Sequence, residues 1–95
     1  MEEVKRNRNH VLIVSVQCKM ARAALGLGVR ELAEAAGVSP DTVARFERGD
    51  ELRQRTVHAI QKCLEAAGVE FISPNGGGPG VRLAKEAQTD PAAGL

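Results

Sequence analysis

Tryptophan and tyrosine are missing from this chain, and phenylalanine occurs only at Phe46 and Phe71. A core must therefore be filled by aliphatic side chains and alanine, which suits short, closely packed helices. Long apolar runs are missing too. No segment approaches the roughly 18 apolar residues of a membrane helix. The run VLIVSV at 11–16 is too short for a leader and no cleavage pattern follows it. A cytoplasmic protein without a membrane partner is expected. Cysteine is sparse: Cys18 and Cys63 lie on separate predicted helices, with no CxxC pair and no histidine at ligand spacing. That excludes zinc and favours reduced, buried or half-buried thiols over a disulfide or redox sensor. No metal and no cofactor is expected. A catalytic constellation is also lacking. Ser15, Ser39 and Ser73 have no histidine and acid at a recognisable spacing, and His10 and His58 read as surface residues. With 95 residues there is little core from which to carve a substrate pocket, so the chain is not expected to be an enzyme. Net charge is only +1, but its distribution is uneven: from Lys5 to Lys62 eleven Lys and Arg face six Asp and Glu. A basic middle fits a phosphate-facing surface.

What the chain does contain is the stretch ELAEAAGVSPDTVARFERG at 31–49. It reads as two short helices around a tight turn. Gly37 ends the first, because glycine tolerates the left-handed conformation of a helix C-terminus. Ser39 starts the second as an N-cap, and Pro40 occupies the first helical position, where its missing N–H had no partner to lose. Val43 and Phe46 then fall on an inner face, leaving Pro40, Asp41, Thr42, Ala44 and Arg45 outside. Gly49 stops the helix.

The flanking segments follow the same logic. A first helix is expected from Ser15, a candidate N-cap, to Leu25, with Cys18, Ala21 and Leu25 inward and Gly26 as the stop. A second runs from Val29 to Ala36 with Leu32, Ala33 and Ala36 inward. The segment 48–55, RGDELRQR, is expected to be a charged loop. The fourth helix should begin at Thr56 as N-cap and run to Ala67, with Val57, Ile60, Cys63 and Leu64 inward and Gln61 on its polar face. From Val69 the period changes to that of strands: VEFI and VRL flank SPNGGGPG, a hairpin signature. That glycine-rich loop lacks GxxxxGK[ST] and a following helix, so it is not a nucleotide cradle. The segment 11–16 is either a strand, with 69–72 as its natural partner, or the lead into the first helix. This gives an organisation of 1–14 as an N-terminal arm or short strand, 15–68 as a helical domain, 69–84 as a hairpin and 85–95 as a disordered tail. In the arm, Lys5, Arg6 and Arg8 are candidates to reach phosphates or a groove.

The segments LGL at 25–27, ELA at 31–33, AGVS at 36–39 and FERG at 46–49 resemble the helix-turn-helix of the phage repressor and Cro family, the XRE class of bacterial regulators. The resemblance covers about residues 15 to 68, and small regulators of that class also carry phrases like GVEFI and GGGPGVRL after their helices. It implies a mainly α, four-helix lambda-repressor-like domain with a short C-terminal β-hairpin. It implies that Arg22 and Glu47 form a structural ion pair bracing the recognition helix at residues 39–48. It also implies that backbone N–H groups near Leu52 and Arg53 touch phosphates. Where such regulators carry a polar cap followed by glutamine, this chain has Gly28 and Val29, leaving Arg30 as the substitute phosphate contact.

A helix-turn-helix places the N-terminal residues of its second helix against base edges in the major groove. By position these are Pro40, Asp41, Thr42 and Arg45. Arg45 can donate twice to guanine O6 and N7, and Asp41 can either accept from cytosine or serve its own helix N-terminus. Arg30, Ser39, Arg48, Arg53 and Arg55 are the candidate phosphate contacts. The expected function is that of a sequence-specific double-stranded DNA-binding transcriptional regulator. One recognition helix spans few base pairs, so a homodimer on a pseudo-palindromic operator is expected. The alternative is an antitoxin-like or accessory module with a protein partner and weak or secondary DNA binding.

Overall fold

The computed structural model describes residues 12–84. Four helices follow one another, α1 Ser15–Leu25, α2 Val29–Ala36, α3 Pro40–Glu47 and α4 Gln54–Ala67, and then strands β1 Val69–Ile72 and β2 Gly80–Leu83. The first two helices end in the same way. Gly26 and Gly37 take φ of 70° and 75°. Beyond them Leu27 N–H donates to the Arg22 carbonyl and Val38 N–H to the Ala33 carbonyl, both at 2.9 Å. These paired bonds satisfy carbonyls that would otherwise be orphaned, and only glycine reaches the left-handed turn without strain.

The helices enclose one aliphatic core. Cys18 and Ala21 of α1, Leu32 and Ala33 of α2, Val43 and Phe46 of α3, and Val57, Ile60 and Leu64 of α4 are buried together with Ile13 and Val69. Leu25, Ala36 and Cys63 are only partly buried against that core. The hairpin pairs Val69 with Leu83, Glu70 with Arg82, Phe71 with Val81 and Ile72 with Gly80, antiparallel. Alternation then sends Val69, Phe71, Val81 and Leu83 towards the helices and leaves Glu70, Arg82 and Ile72 on the exposed face. Glu70 and Arg82 pair across the strands at 2.8 Å. No helix among the described residues is long and apolar enough to cross a membrane.

Of the two readings left open for 11–16, the described residues 12–14 take the second: they form no strand and lead into α1, with Ile13 buried and its N–H donating to Gln61 Oε1 at 3.1 Å. Gln61 also donates to Glu65 Oε2 at 3.3 Å, so it joins the polar side of α4 to that lead. Other details differ from the sequence-based expectation. Ser15 is not the N-cap of α1. Val14 holds that place with extended backbone, and Gln17 folds back to accept from its N–H at 2.9 Å. Helix α4 starts at Gln54, two residues before Thr56, with Arg53 as an N-cap that has no side-chain capping bond. Ala84, the last residue of the expected hairpin segment, closes it by donating to the Gly68 carbonyl at 2.8 Å. The arm residues Lys5, Arg6 and Arg8 and the tail 85–95 lie outside the described residues.

Gln17 is the polar residue on which the hairpin is seated. It is 3 % exposed, and besides capping α1 it donates from Nε2 to the carbonyls of Ile72 and Gly80, both at 3.0 Å. Gln17→Leu removes those donors and leaves the carbonyls and the Val14 N–H without this partner, which costs about 1–3 kcal/mol. Urea unfolding should show that loss, with amide exchange in β1 and β2 accelerated first. Exchange at wild-type rates in the hairpin would mean that α1 does not hold it.

Candidate nucleic-acid interface

The turn between α2 and α3 is built from its caps. Gly28 precedes α2 with extended backbone, and Glu31 reaches back to accept from the Gly28 N–H at 2.7 Å. This carboxylate makes the reciprocal half of a capping box, while the bond that a polar side chain at position 28 would accept from the helix is not made, and its negative charge suits a helix N-terminus. At α3, Ser39 Oγ accepts from the Thr42 N–H at 3.1 Å, and the two hydroxyls lie 2.9 Å apart. Pro40 sits in the first turn. Ser39, Pro40 and Asp41 are exposed, Thr42 and Arg45 are half-buried, and Val43, Phe46 and Glu47 are buried. The inner face of α3 is therefore fixed to the core while Pro40, Asp41, Thr42 and Arg45 lie along its outer side.

The C-terminal end of α3 is tied to α1 by charge. Arg22 Nε donates to Glu47 Oε2 at 2.7 Å and Arg22 Nη2 to Oε1 at 2.8 Å, a bidentate fork. Arg22 Nη1 also donates to the Leu27 carbonyl at 3.1 Å, and the Cys18 thiol donates to Glu47 Oε2 at 3.1 Å. Burial alone would push the Glu47 carboxyl up. The hydrogen bonds from Arg22 and Cys18, with the positive charges of Arg22 and Lys19, outweigh it and hold the carboxyl below its ordinary value. The hydrogen bond to Glu47 raises Arg22 in turn. Burial, then the bond to the Glu47 carboxylate, pushes the Cys18 thiol far up, so this cysteine is a neutral donor and not a nucleophile. Burial likewise raises Cys63. Among the described residues no group of three or more His, Cys, Asp and Glu gathers as a metal site.

Thr42 and Arg45 of α3 line an open cleft of about 310 Å³ together with Glu51, Leu52, Arg53 and Thr56. Arg48, the C-cap of α3, belongs to the same end through Asp50. That carboxylate lies 3.5 Å from Arg45 Nε and 3.6 Å from Arg48 Nη2, and the Asp50 N–H donates to the Arg45 carbonyl at 3.0 Å. The position of Asp50 between the two arginines is set by the turn after α3. Arg55 lies elsewhere. It belongs to the first turn of α4 and lines a different cleft with Leu12, Gln54 and His58. Arg30 is exposed in the first turn of α2. The sequence reading missed Gln17, Glu31 and Asp50. For Glu31 a signal was available, an acid three residues after the cap position. For Gln17 and Asp50 the partners are set by tertiary structure.

A family model described as a helix-turn-helix domain matches residues 15–71. No curated protein matches the chain. The match spans all four helices and reaches into the first strand, and the chain belongs to the helix-turn-helix domain family, which is found in XRE-like bacterial regulators.

Proposed function

We propose that this protein is a sequence-specific regulator that binds double-stranded DNA as a homodimer, with α3 in the major groove of each half of a pseudo-palindromic operator. The observation that carries the reading is the cleft where Thr42 and Arg45 meet Arg53: a candidate base-reading surface directly beside a candidate phosphate clamp. Arg45 is the principal reader, donating to guanine O6 and N7, with Pro40, Asp41 and Thr42 at the base edges before it. Its tether to Asp50 is an exposed pair at 3.5 Å. Such pairs contribute about 0–1 kcal/mol, so the guanidinium leaves it for a base at little cost. Ser39, Arg30, Arg48 and Arg53 face phosphates. The first turn of α4, which has no side-chain cap, supports a further phosphate contact through its backbone N–H groups. Arg55, on the far side of that turn, contributes charge at longer range.

Selection of bound duplexes from random DNA, at stated salt, tests this reading. An operator with two related half-sites about one helical turn apart is expected. Arg45→Ala should cost about 1–3 kcal/mol on the selected site and relax one base-pair position in each half. Arg53→Ala should weaken all duplexes alike and reduce the slope of log affinity against log salt by about 0.9 for each phosphate lost. An unchanged selection profile for Arg45→Ala would remove that residue from base reading, and no binding at low salt would end the proposal.

A further inference from the structure

The segment 73–79 that joins the strands carries chemistry the helices do not use. Residues 73–78 are all exposed, and at Gly76, Gly77 and Gly78 an added side-chain carbon would meet no atom within 4 Å. Nothing packs over this stretch. The chain holds three asparagines, and Asn75 alone is followed by glycine; Asn7 precedes Arg8 and Asn9 precedes His10. The neighbour matters because an asparagine side-chain amide is an electrophile for the next backbone nitrogen, and a side chain on that next residue crowds the approach. Gly76 has none. The nitrogen is also available: Asn75 donates its own N–H to the Ser73 carbonyl at 2.7 Å, whereas nothing among the described residues accepts from the Gly76 N–H. Gly76 takes φ of 88°, a backbone that glycine reaches without strain.

We infer that Asn75 with Gly76 is a site of spontaneous deamidation, at which the hairpin loop of the folded protein converts to aspartate and isoaspartate. Base takes the proton from Gly76 N, the nitrogen attacks Asn75 Cγ, and the Cγ–Nδ2 bond breaks as the amide nitrogen takes up a proton and leaves as ammonia. A five-membered succinimide results. Water then opens the ring: breaking the bond from Gly76 N to Cγ leaves aspartate, and breaking the bond from Gly76 N to the Asn75 carbonyl carbon leaves isoaspartate, whose main chain runs through the former side chain. Water is the co-reactant and no oxidant or cofactor enters. Either product is ionised near neutral pH and takes the formal net charge from +1 to zero. The new charge falls in a segment, 71–81, that contains no Asp, Glu, Lys or Arg. The fold tolerates the change because both ends of the loop are held. Ile72 pairs with Gly80 across the strands, and the carbonyls of both accept from Gln17 Nε2 at 3.0 Å. The site is therefore a slow, one-way source of a second, less basic form of the folded protein, whatever α3 binds.

Ageing the full chain at mildly alkaline pH, both native and unfolded in guanidinium chloride, tests the inference, with peptide mapping by mass spectrometry to locate each amide-to-acid exchange. Asn75 should convert before Asn7 and Asn9. In the native protein it should do so at a rate within about threefold of that in the unfolded chain, since no local opening has to precede the reaction. Isoelectric focusing of the native protein should show a more acidic form growing in step. Asn75→Gln, whose longer side chain would have to close a six-membered ring, should suppress that form at an unchanged melting temperature, and the aged wild type should keep its amide protection in β1 and β2. A native rate about tenfold or more below the unfolded rate would overturn the inference, because the fold would then hold the Asn75 amide away from Gly76 N. So would conversion that begins at Asn7 or Asn9, or an acidic form that grows equally fast in Asn75→Gln.

Discussion

Glu47→Ala lowers the free energy of unfolding by about 3 kcal/mol near neutral pH, because it strands the Arg22 guanidinium it was paired with. The side chains of Arg22 and Glu47 are 22 % and 9 % exposed, so the orphaned charge recovers only part of its hydration. The Cys18 thiol, fully buried, loses its acceptor at the same time. Replacing both partners, as Arg22→Met/Glu47→Leu, should recover much of the loss, because no charge is then left unpaired. The pH dependence has a definite sign. The folded carboxyl is held below its ordinary value of 4.5, so the stability it contributes is complete above 4.5 and disappears as pH falls through the lower folded value. Urea unfolding of wild type and Glu47→Gln should therefore show a gap at neutral pH that closes in acid. A gap of constant size down the whole acid range would mean that the carboxylate charge does not hold α3 in place.

The parts of this molecule legible in the sequence are those decided within a few residues. Gly26 and Gly37 end their helices through local bonds, and Ser39 with Pro40 starts α3 through local bonds, so α1, α2 and α3 fall where the punctuation puts them. The start of α4 misleads because Thr56 is a better N-cap by chemistry than Arg53, yet the chain turns earlier and leaves Arg53 at the boundary without a capping side chain. Gln17 is hidden for a different reason. Its hydrogen bonds reach Ile72 and Gly80, 55 and 63 residues away, and no periodicity announces a polar residue that the hairpin will bury. In the candidate interface, the outer face of α3 follows from helical spacing. The separation of Arg55 from Arg53 does not, since Gln54, the one residue between them, is the unmarked start of α4.

Phe46→Ala is expected to cost about 3–5 kcal/mol, the usual penalty for emptying a buried aromatic site. Small natural domains are stable by about 5–15 kcal/mol in total, so the variant should be largely or partly unfolded at physiological temperature. Phe46 is 6 % exposed and the one aromatic side chain among the buried residues of the core, whose other members are aliphatic or small. Its loss acts on function through placement. Val43 and Phe46 press the inner side of α3 onto the core, and Glu47 fastens its end to α1. Without the ring, Arg45 is carried on a helix that no longer has a fixed face. Phe46→Ala should thus lose duplex binding together with its cooperative thermal transition, whereas Arg45→Ala should lose binding with the transition intact. Phe46→Leu, which keeps most of the volume, should retain both at reduced midpoint, by about 1–2 kcal/mol. Calorimetry alongside a mobility-shift titration separates these cases. A Phe46→Ala protein that melts at the wild-type temperature and still fails to bind would place Phe46 on the DNA and not beneath it.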